Sequence, residues 1–421
     1  RRCDWSSDVC SSDLSKRFLQ QLQNNWNINN NLQLSSILAF TDYSRRTKTI
    51  KHQFSDGINY LSNEPGSQDK STFKNLQYQI SPTVSLQPGI DINHEKATGA
   101  RIDGTPEIND FAFFVSSEIK PNNTINIRPG LRFIKNSVYS APPVIPSINS
   151  KFTLYNNFDL RVAYAYGFRS PALRELYYNF VDANHIIVGN PHLKAEHSSS
   201  FNGSLSCTLP KTKQGHQNVI TLSSFYNTFN NLINYATSPT STDTTITVNI
   251  DKYKTTGIMI EDKLQSKNFT ASLGFSYIGR YNQLADAEGF KNENLPHFMW
   301  SPELNASMIY EFSKTGASLA LFYKFSGKKP GYEAVTNTST GAQEIHLTHI
   351  DGCHIADFTI NKKLFTYFSV SGGVKNIFNV TQLTNTSTNP DGVHSTGAAI
   401  DMSYGRSYFI GLSFQLNTKH Q

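Results

Sequence analysis

Hydrophobic and polar residues alternate one by one along several segments of the chain. In FDLRVAYAYGF, which begins at Phe158, large apolar side chains occupy every second position, with Asp, Arg, Ala and Gly between them. NFTASLGFSYIG, GASLALFYKF and SYGRSYFIGLSFQL show the same alternation. Because successive side chains of a strand point to opposite faces of the sheet, each segment is predicted to be a strand with one apolar and one polar face.

The connections between the predicted strands fall into two classes. Short turns are predicted at residues 29–31, 120–123, 156–157, 211–216, 266–267 and 313–314, and long polar stretches near residues 45–70, 96–108, 169–196, 235–247, 281–299, 328–345 and 381–401. The two classes largely alternate along the chain. Short turns at one rim and long loops at the other are typical of bacterial outer-membrane barrels.

The alternation predicts an all-β fold, a transmembrane antiparallel β-barrel, with about 17 strands. They lie near residues 18–29, 32–44, 71–81, 84–95, 109–120, 123–135, 143–156, 158–168, 197–210, 217–234, 248–265, 268–280, 299–313, 316–327, 346–363, 365–380 and 402–416. Single-chain bacterial barrels have even strand numbers, so the odd count predicts a truncated barrel. The alternative is a large soluble β-sandwich or adhesin array, whose strands also alternate.

Composition favours the barrel. Charged residues make up 17% of the chain, below the roughly 25% that is usual for soluble domains, and aromatic residues make up 12%. No run of about 18 apolar residues is present, which excludes a transmembrane helix, whereas a barrel strand needs only about 9–11 residues. The net charge of +6 is spread along the chain, so a nucleic-acid partner is not expected.

The first 14 residues have a different character. RRCDWSSDVCSSDL contains a near-repeat, carries two of the four cysteines, and has neither signal-peptide nor strand character. It resembles translated adapter sequence, so residues 1–14 are predicted to be non-native and residues 15–421 to form one partial barrel domain. Cys207 and Cys353 lie in separate predicted strands, and nothing in their spacing indicates a disulfide.

Several short motifs occur in a characteristic order. FRSP begins at Phe168, ELY at Glu175 and GNPHLKAE at Gly189. GIDINHE, RPGLRF, FYNTFNNLINY, VKNIFNV and GRSYFIGLSFQL accompany them. In this order, from about residue 18 to the end, the chain resembles TonB-dependent outer-membrane receptors. The residues that match the family's boxes are Phe168, Arg169, Pro171, Asn190, Pro191 and Leu193.

The resemblance implies a bacterial outer-membrane receptor. Members have a 22-stranded barrel closed by an N-terminal plug, bind a scarce ligand outside the cell and are opened by TonB. By the strand count, this chain carries about 17 of those strands and no plug. The implied partners are outer-membrane lipid, a small-molecule ligand, and the TonB complex through the plug of an intact parent. A surface binding or adhesion protein without transport, a nonspecific porin, and a cobalamin or oligosaccharide receptor remain alternatives.

Five residues of the stretch from residue 168 to 196 are candidate ligand contacts. Haem receptors of the family place a His between the two boxes, and His185 has that position here. Haem iron accepts an axial His or Tyr, and Tyr177 and Tyr178 are nearby. Arg169 or Arg174 would face haem propionates as charge-assisted donors. Haem or a ferric siderophore is therefore the expected transported ligand, with no resident cofactor; alternatively, His185 is a packed loop residue and the boxes serve only the barrel.

Other chemistry is not predicted. HLTHIDGCH, which begins at His346, contains metal-binding residue types. On a continuous strand, however, His349 and Cys353 would be about 13 Å apart at the usual rise of roughly 3.3 Å per residue, too far for one tetrahedral ion. The motifs HExxH, GxSxG and GxxxxGK[ST] do not occur. We therefore expect no metal site, no catalytic residues and no enzyme activity.

Overall fold

The structure, a computed structural model, is almost entirely β. It describes residues 2–3, 9–51, 59–64, 68–81, 83–99, 101–181, 186–238, 241–336, 339–341, 343–365, 367–387 and 399–415.

The strands are β1 (Arg2–Cys3), β2 (Val9–Asn29), β3 (Leu32–Lys51), β4 (Asn59–Glu64), β5 (Gln68–Ser81), β6 (Val84–Lys96), β7 (Glu107–Asn122), β8 (Ile125–Asn136), β9 (Ile145–Tyr155), β10 (Phe158–Arg169), β11 (Asn179–Val181), β12 (Ile186–Val188), β13 (Glu196–Thr208), β14 (Gln217–Ser238), β15 (Ser241–Gln265), β16 (Phe269–Tyr281), β17 (Phe298–Phe312), β18 (Ala317–Ser326), β19 (Lys329–Thr336), β20 (Gln343–Ile350), β21 (Cys353–Lys363), β22 (Phe368–Lys375), β23 (Gln382–Thr384), β24 (Ala399–Asp401) and β25 (Ser407–Phe414). The helices are α1 (Leu173–Tyr177) and two 3-10 helices, Gln283–Asp286 and Glu288–Glu293. No helix in the described part of the chain is long and apolar enough to cross a membrane.

One sheet contains 21 of these strands. Four of them, β1, β4, β11 and β12, are short side strands, and the other seventeen pair antiparallel in chain order, from β2 to β25. The predicted all-β antiparallel architecture of about 17 strands is thus confirmed. Among the pairings of described residues, none joins β2 to β25.

Connections of the two classes lie at opposite rims. The short-turn rim carries tight connections such as the one from Tyr155 to Phe158. The long-loop rim carries residues 97–106, 170–195, 282–297 and 376–406. For these segments the predicted division into short turns at one rim and long connections at the other is confirmed, and it follows because every strand of an antiparallel meander reverses the direction of the chain. One connection at the long-loop rim, residues 137–144, lacked a polar signature strong enough to be predicted.

Strand pairing brings side chains of one kind together on each face. Ile260 of β15 lies opposite Leu222 of β14 and Phe275 of β16, and its side chain is 49% exposed. The adjacent Met259 lies opposite a serine on each side and belongs to the other face. An exposed apolar face and a polar opposite face form the wall of a transmembrane barrel. Exposed apolar side chains on this face follow from an environment of lipid rather than water.

The polar face carries ion pairs between neighbouring strands. Arg280 of β16 donates to the Ser301 hydroxyl at 2.6 Å. The Glu303 carboxylate of β17 lies 3.9 Å from Arg280 and 4.0 Å from Lys324 of β18. These charged side chains thus have partners of opposite sign on the polar face, which is the face that lines the interior of a barrel.

Several sequence-based assignments need correction. Most of the predicted loop 235–247 belongs to β14 and β15, and the predicted loops 45–70 and 328–345 contain residues of β3, β4 and β19. The single strand predicted over residues 346–363 is wrong: β20 ends at Ile350 and pairs with β19, whereas β21 starts at Cys353 and pairs with β18. Gly352 lies at the break, where an added Cβ would lie 2.7 Å from the Ser326 carbonyl oxygen. β2 begins at Val9, so residues 9–14 pair with β3 although their sequence lacks strand character; that residues 1–14 are non-native stays a prediction.

A candidate ligand-binding site at the long-loop rim

The connection between β10 and β13 is folded rather than loose. The Glu175 carboxylate accepts a hydrogen bond from the Ala172 amide at 2.8 Å, which supports the first turn of α1. After α1 the chain forms the β11–β12 hairpin, and β12 pairs in parallel with residues Thr244–Ile246 of β15. β14 and β15 have 22 and 25 residues, well beyond the roughly 9–11 that span a membrane. The connection therefore pairs with the part of the β14–β15 hairpin that projects beyond the membrane-spanning strands.

A small hydrophobic core lies beneath this connection; we call it the rim core. It consists of Leu173, Leu176, Leu193, Ala97, Ile108 and Ile233. Leu176 and Ile108 are each only 2% exposed. Tyr177 packs against the rim core and is half-buried. These residues come from the connection 170–195, from loop 97–106 and the start of β7 that follows it, and from β14. The rim core therefore joins three separate parts of the rim.

Arg169 connects the two ends of the connection. It is the last residue of β10, and its guanidinium donates to Glu175 at 2.9 Å and to Glu196, the first residue of β13, at 3.1 Å. Glu196 also accepts the backbone amide of Ile233 at 3.1 Å. The donors of Arg169 are therefore engaged by two carboxylates of the protein itself. This arrangement fixes the loop by charge-assisted hydrogen bonds.

Arg169→Gln should loosen the connection. It removes both ion pairs and leaves Glu196, whose side chain is 13% exposed, without a cation. Because Arg169 itself is 43% exposed, solvent weakens the interaction, and we expect a loss of about 1–2 kcal/mol. Faster hydrogen exchange of amides in residues 170–195 would report it. Arg169→Lys should recover only part of the protection, since an ammonium lacks the planar fork; full recovery would contradict the two-carboxylate arrangement.

Backbone hydrogen bonds hold the connection against its neighbours. The Asp103 amide donates to the Tyr177 carbonyl at 2.9 Å, and the Asn179 amide donates to the Arg101 carbonyl at 2.9 Å. The side chain of Asn190 donates to the carbonyl of Thr247 at 3.1 Å. Loop 97–106 and β15 are thereby fixed on either side of the connection.

Four planar side chains lie together on this scaffold and form what we call the ring–guanidinium cluster. The rings of Tyr178 and Phe180 are parallel within 1°, with centroids 6.1 Å apart. The guanidinium carbon of Arg174 lies 4.6 Å from the centroid of the Tyr178 ring, and that of Arg101 lies 4.1 Å from the centroid of Phe180. Contacts of this length are cation–π interactions. The cluster presents two cations and two ring systems at the rim.

The residues named from the sequence take different places. Tyr178 and Arg174 meet in the ring–guanidinium cluster, whereas Tyr177 packs on the rim core and Arg169 bridges two carboxylates. His185 lies outside the described residues. The sequence did not indicate Arg101, because about seventy positions separate it from the motif and only the fold brings it close.

The family-motif residues mostly serve packing. Pro171 is buried, as is Leu193 of the rim core. Phe168 lies on the apolar face, with its ring 6.3 Å from that of Tyr139 and 5.9 Å from that of His197. Burial raises the pKa of Tyr139 to about 12. Asn190 precedes Pro191 and accepts the His192 amide at 2.9 Å, an Asx-type turn that leads the chain towards β13.

A second group of polar side chains surrounds a cavity of about 540 Å³ at the same rim. There His354 Nδ1 lies 2.7 Å from the Tyr323 hydroxyl, and His349 Nε2 lies 3.2 Å from the Asp351 carboxylate. A hydrogen bond from Lys328 lowers the pKa of Asp351. Within the described residues, no three His, Cys, Asp or Glu side chains are grouped so that they could hold a metal ion.

Comparison with known proteins identifies a related family. Residues 4–377 match the family model described as TonB dependent receptor-like, beta-barrel. No curated protein sequence matches the chain.

Solved structures share the fold. A mutant of the ferric enterobactin receptor PfeA from Pseudomonas aeruginosa aligns with a TM-score of 0.69 at 16% identity, covering 96% of this chain and 62% of the other. The siderophore receptor PirA from Acinetobacter baumannii gives 0.64 at 14% identity, with coverages of 96% and 62%. The outer membrane transporter YddB from Escherichia coli gives 0.67 at 13% identity, with coverages of 97% and 64%. The chain thus spans less than two thirds of the length of these proteins.

Proposed function

Because the chain belongs to the TonB-dependent receptor β-barrel family, we propose that it forms the barrel of a receptor that binds a scarce ligand outside the cell and admits it by TonB-dependent uptake. Barrels of this family are outer-membrane proteins, and this one is a transmembrane β-barrel of the bacterial outer membrane. Its apolar face contacts lipid and its polar face lines the lumen. The TonB complex is the proposed partner for energised opening.

The folded connection at the long-loop rim is the observation that carries this proposal. Outer loops placed by a rigid scaffold are where barrels and other folds concentrate binding residues. Here the rim core, the Arg169 bridge and the pairing of β12 with β15 support the ring–guanidinium cluster, in which Arg174 is exposed and the other three side chains are half-buried. This arrangement favours a receptor over a nonspecific pore, because a pore needs no such structured binding surface.

The proposed ligand is a ferric siderophore, with haem as the second candidate. PfeA and PirA are siderophore receptors, and their likeness in fold supports the first. The position of His185 between the two sequence boxes supports the second. We assign direct ligand contact to Tyr178, Arg174 and His185. We assign a supporting role to Arg169 and Tyr177, since one bridges Glu175 and Glu196 and the other packs on the rim core.

An uptake assay tests this function. Gram-negative cells that lack their own receptors for the two ligands would be supplied with the receptor containing this barrel, then offered ⁵⁵Fe-labelled ferric enterobactin or haemin. We expect receptor-dependent accumulation of one ligand in cells with TonB and none in cells without it. Accumulation that is equal in both strains would contradict the proposal and indicate a pore. Surface binding without accumulation would instead indicate a binding or adhesion protein.

The haem alternative has a separate test. A Soret titration of the receptor with haemin should show a shifted band if His185 is an axial ligand, and His185→Ala should lose that shift. An unshifted Soret band in the native protein would exclude haem as the ligand and leave a ferric siderophore as the candidate.

A further inference from the structure

We propose that the ring–guanidinium cluster binds a planar, conjugated ligand that carries oxyanions, with Arg101 and Phe180 taking part together with Arg174 and Tyr178. The inference rests on the proposed function of the long-loop rim as the ligand-binding face, and it assigns a chemical class to the ligand. Two of these residues come from the connection 170–195 beyond α1, one from α1 and one from loop 97–106.

The two arginines of the FRSPALRELY segment have different surroundings. The guanidinium of Arg169 donates its hydrogen bonds to the carboxylates of Glu175 and Glu196. Arg174 makes no ion pair within the part of the chain that the structure describes, and its guanidinium lies on the Tyr178 ring. The acidic residue next to it, Glu175, is already engaged by Arg169. Among the described residues, the N–H donors of Arg174 thus have no carboxylate partner and can bind a group outside the protein.

Stacking orients the guanidinium for such a group. A guanidinium that lies on an aromatic face is held by the face, while its N–H donors lie in its own plane and point away from its edge. Carboxylates and phenolates accept these donors, often two at a time. The parallel rings of Tyr178 and Phe180 add an apolar surface that favours a flat partner. Cations and rings in this arrangement fit an anionic conjugated system better than a sugar or an aliphatic acid.

The cluster is also held in place before any ligand binds. The Asn179 amide donates to the Arg101 carbonyl, and the Asp103 amide donates to the Tyr177 carbonyl, each at 2.9 Å. An isolated bridge pairs Ile102 with Tyr178. Loop 97–106 thus carries Arg101 to a fixed place beside Phe180. Groups fixed in this way lose little conformational entropy on binding, which favours affinity.

Three small probe molecules distinguish the contribution of ligand charge to affinity from that of ligand planarity. Naphthalene-2,6-dicarboxylate is a planar dianion, naphthalene-2,6-dicarboxamide is planar and neutral, and cyclohexane-1,4-dicarboxylate is a dianion that is not flat. Isothermal titration of the receptor in detergent would measure the dissociation constant of each. We expect the planar dianion to bind most tightly, with the other two weaker by about tenfold or more, since each lacks either the charge-assisted hydrogen bonds or the ring contact.

Three variants test whether the planar dianion binds at the ring–guanidinium cluster. Arg174→Gln, Arg101→Gln and Tyr178→Leu should each weaken binding of the planar dianion by about three- to tenfold. Arg128→Gln is the matched control, because Arg128 lies near the short-turn rim and pairs with Glu118. The affinity of this variant for the planar dianion should equal that of the native receptor. Hydrogen exchange of residues 170–195 should stay as in the native protein for Arg174→Gln, which excludes unfolding of the loop as the cause.

Some results would overturn the inference. Equal affinity for the three probes would indicate nonspecific adsorption, and native affinity in both Arg174→Gln and Tyr178→Leu would place the binding elsewhere. The test is independent of transport: if the uptake assay fails while the planar dianion still binds at the cluster, the proposed function is wrong and the site remains. If uptake succeeds and the probe does not bind, only the inference about ligand class is lost.

Discussion

Replacing Leu176 by alanine should destabilise the long-loop rim more than any other single truncation in the connection 170–195. Leu176 is 2% exposed and lies in the rim core with Ile108, Leu173 and Leu193. Truncation of a buried leucine removes its transfer free energy and leaves a cavity, which together lower the free energy of unfolding by about 2–5 kcal/mol. The rim core has few members, so little else can compensate.

Hydrogen exchange of specific amides would measure this effect. The amides of Gly189 and Asn190 donate to carbonyls of Tyr178 and Glu175, so they should exchange much faster once the rim core loosens. Leu347→Ala is the control, because Leu347 belongs to the same rim but is 67% exposed; it should change exchange little. Unchanged protection in Leu176→Ala would show that the rim core does not hold the connection.

An arginine at Ile260 should destabilise the barrel in a lipid bilayer by about 2–4 kcal/mol, the usual effect of this residue on the lipid face near the bilayer midplane. Ile260 lies beside Leu222 and Phe275 on the apolar face. It is five residues from the end of β15 at the short-turn rim, which places it near the middle of a membrane-spanning segment of about ten residues. A guanidinium there would have to leave water or distort the bilayer.

The neighbouring residue supplies a matched control. Met259→Arg introduces the same side chain one position earlier, on the face that lines the lumen, where water is available. We expect urea unfolding in lipid vesicles to show a large shift of the midpoint for Ile260→Arg and a small one for Met259→Arg. Equal shifts would contradict the assignment of the two faces; a larger shift for Met259→Arg would reverse it.

The strands were predictable from the sequence because their signal is local. Alternation along β10, β16, β18 and β25 reports both the strand and its two faces. The projecting part of the β14–β15 hairpin was not predictable, because its residues are as polar as those of a loop. The break at Gly352 does have a local signal, because Asp351-Gly352 is a dipeptide typical of turns. That signal is brief, and the strand-like residues on both sides of it predicted one continuous strand.

The candidate site was predictable only in part. Motif position indicated Arg174 and Tyr178, which do meet in the structure. The same reasoning could not separate Arg174 from Arg169, because the difference lies in which carboxylates the fold brings near. Glu196 is 27 positions from Arg169 in the chain, and its role as a partner depends on the pairing of β10 with β13. Contacts between distant segments follow from the fold, and periodicity does not reveal them.

The way in which the rim core is assembled has a consequence for the order of folding. Its members come from segments far apart in the chain, and the connection above it is tied across similar distances, as by the hydrogen bond between Asn190 and Thr247, which are 57 positions apart. Closing such distances by chain diffusion alone carries an entropic penalty, whereas pairing of neighbouring strands shortens them stepwise. We therefore expect the rim core to consolidate late, after β6 to β15 have paired. By the same reasoning we expect it to open before the strands in the membrane, so that the outer rim can be rearranged while the wall stays intact.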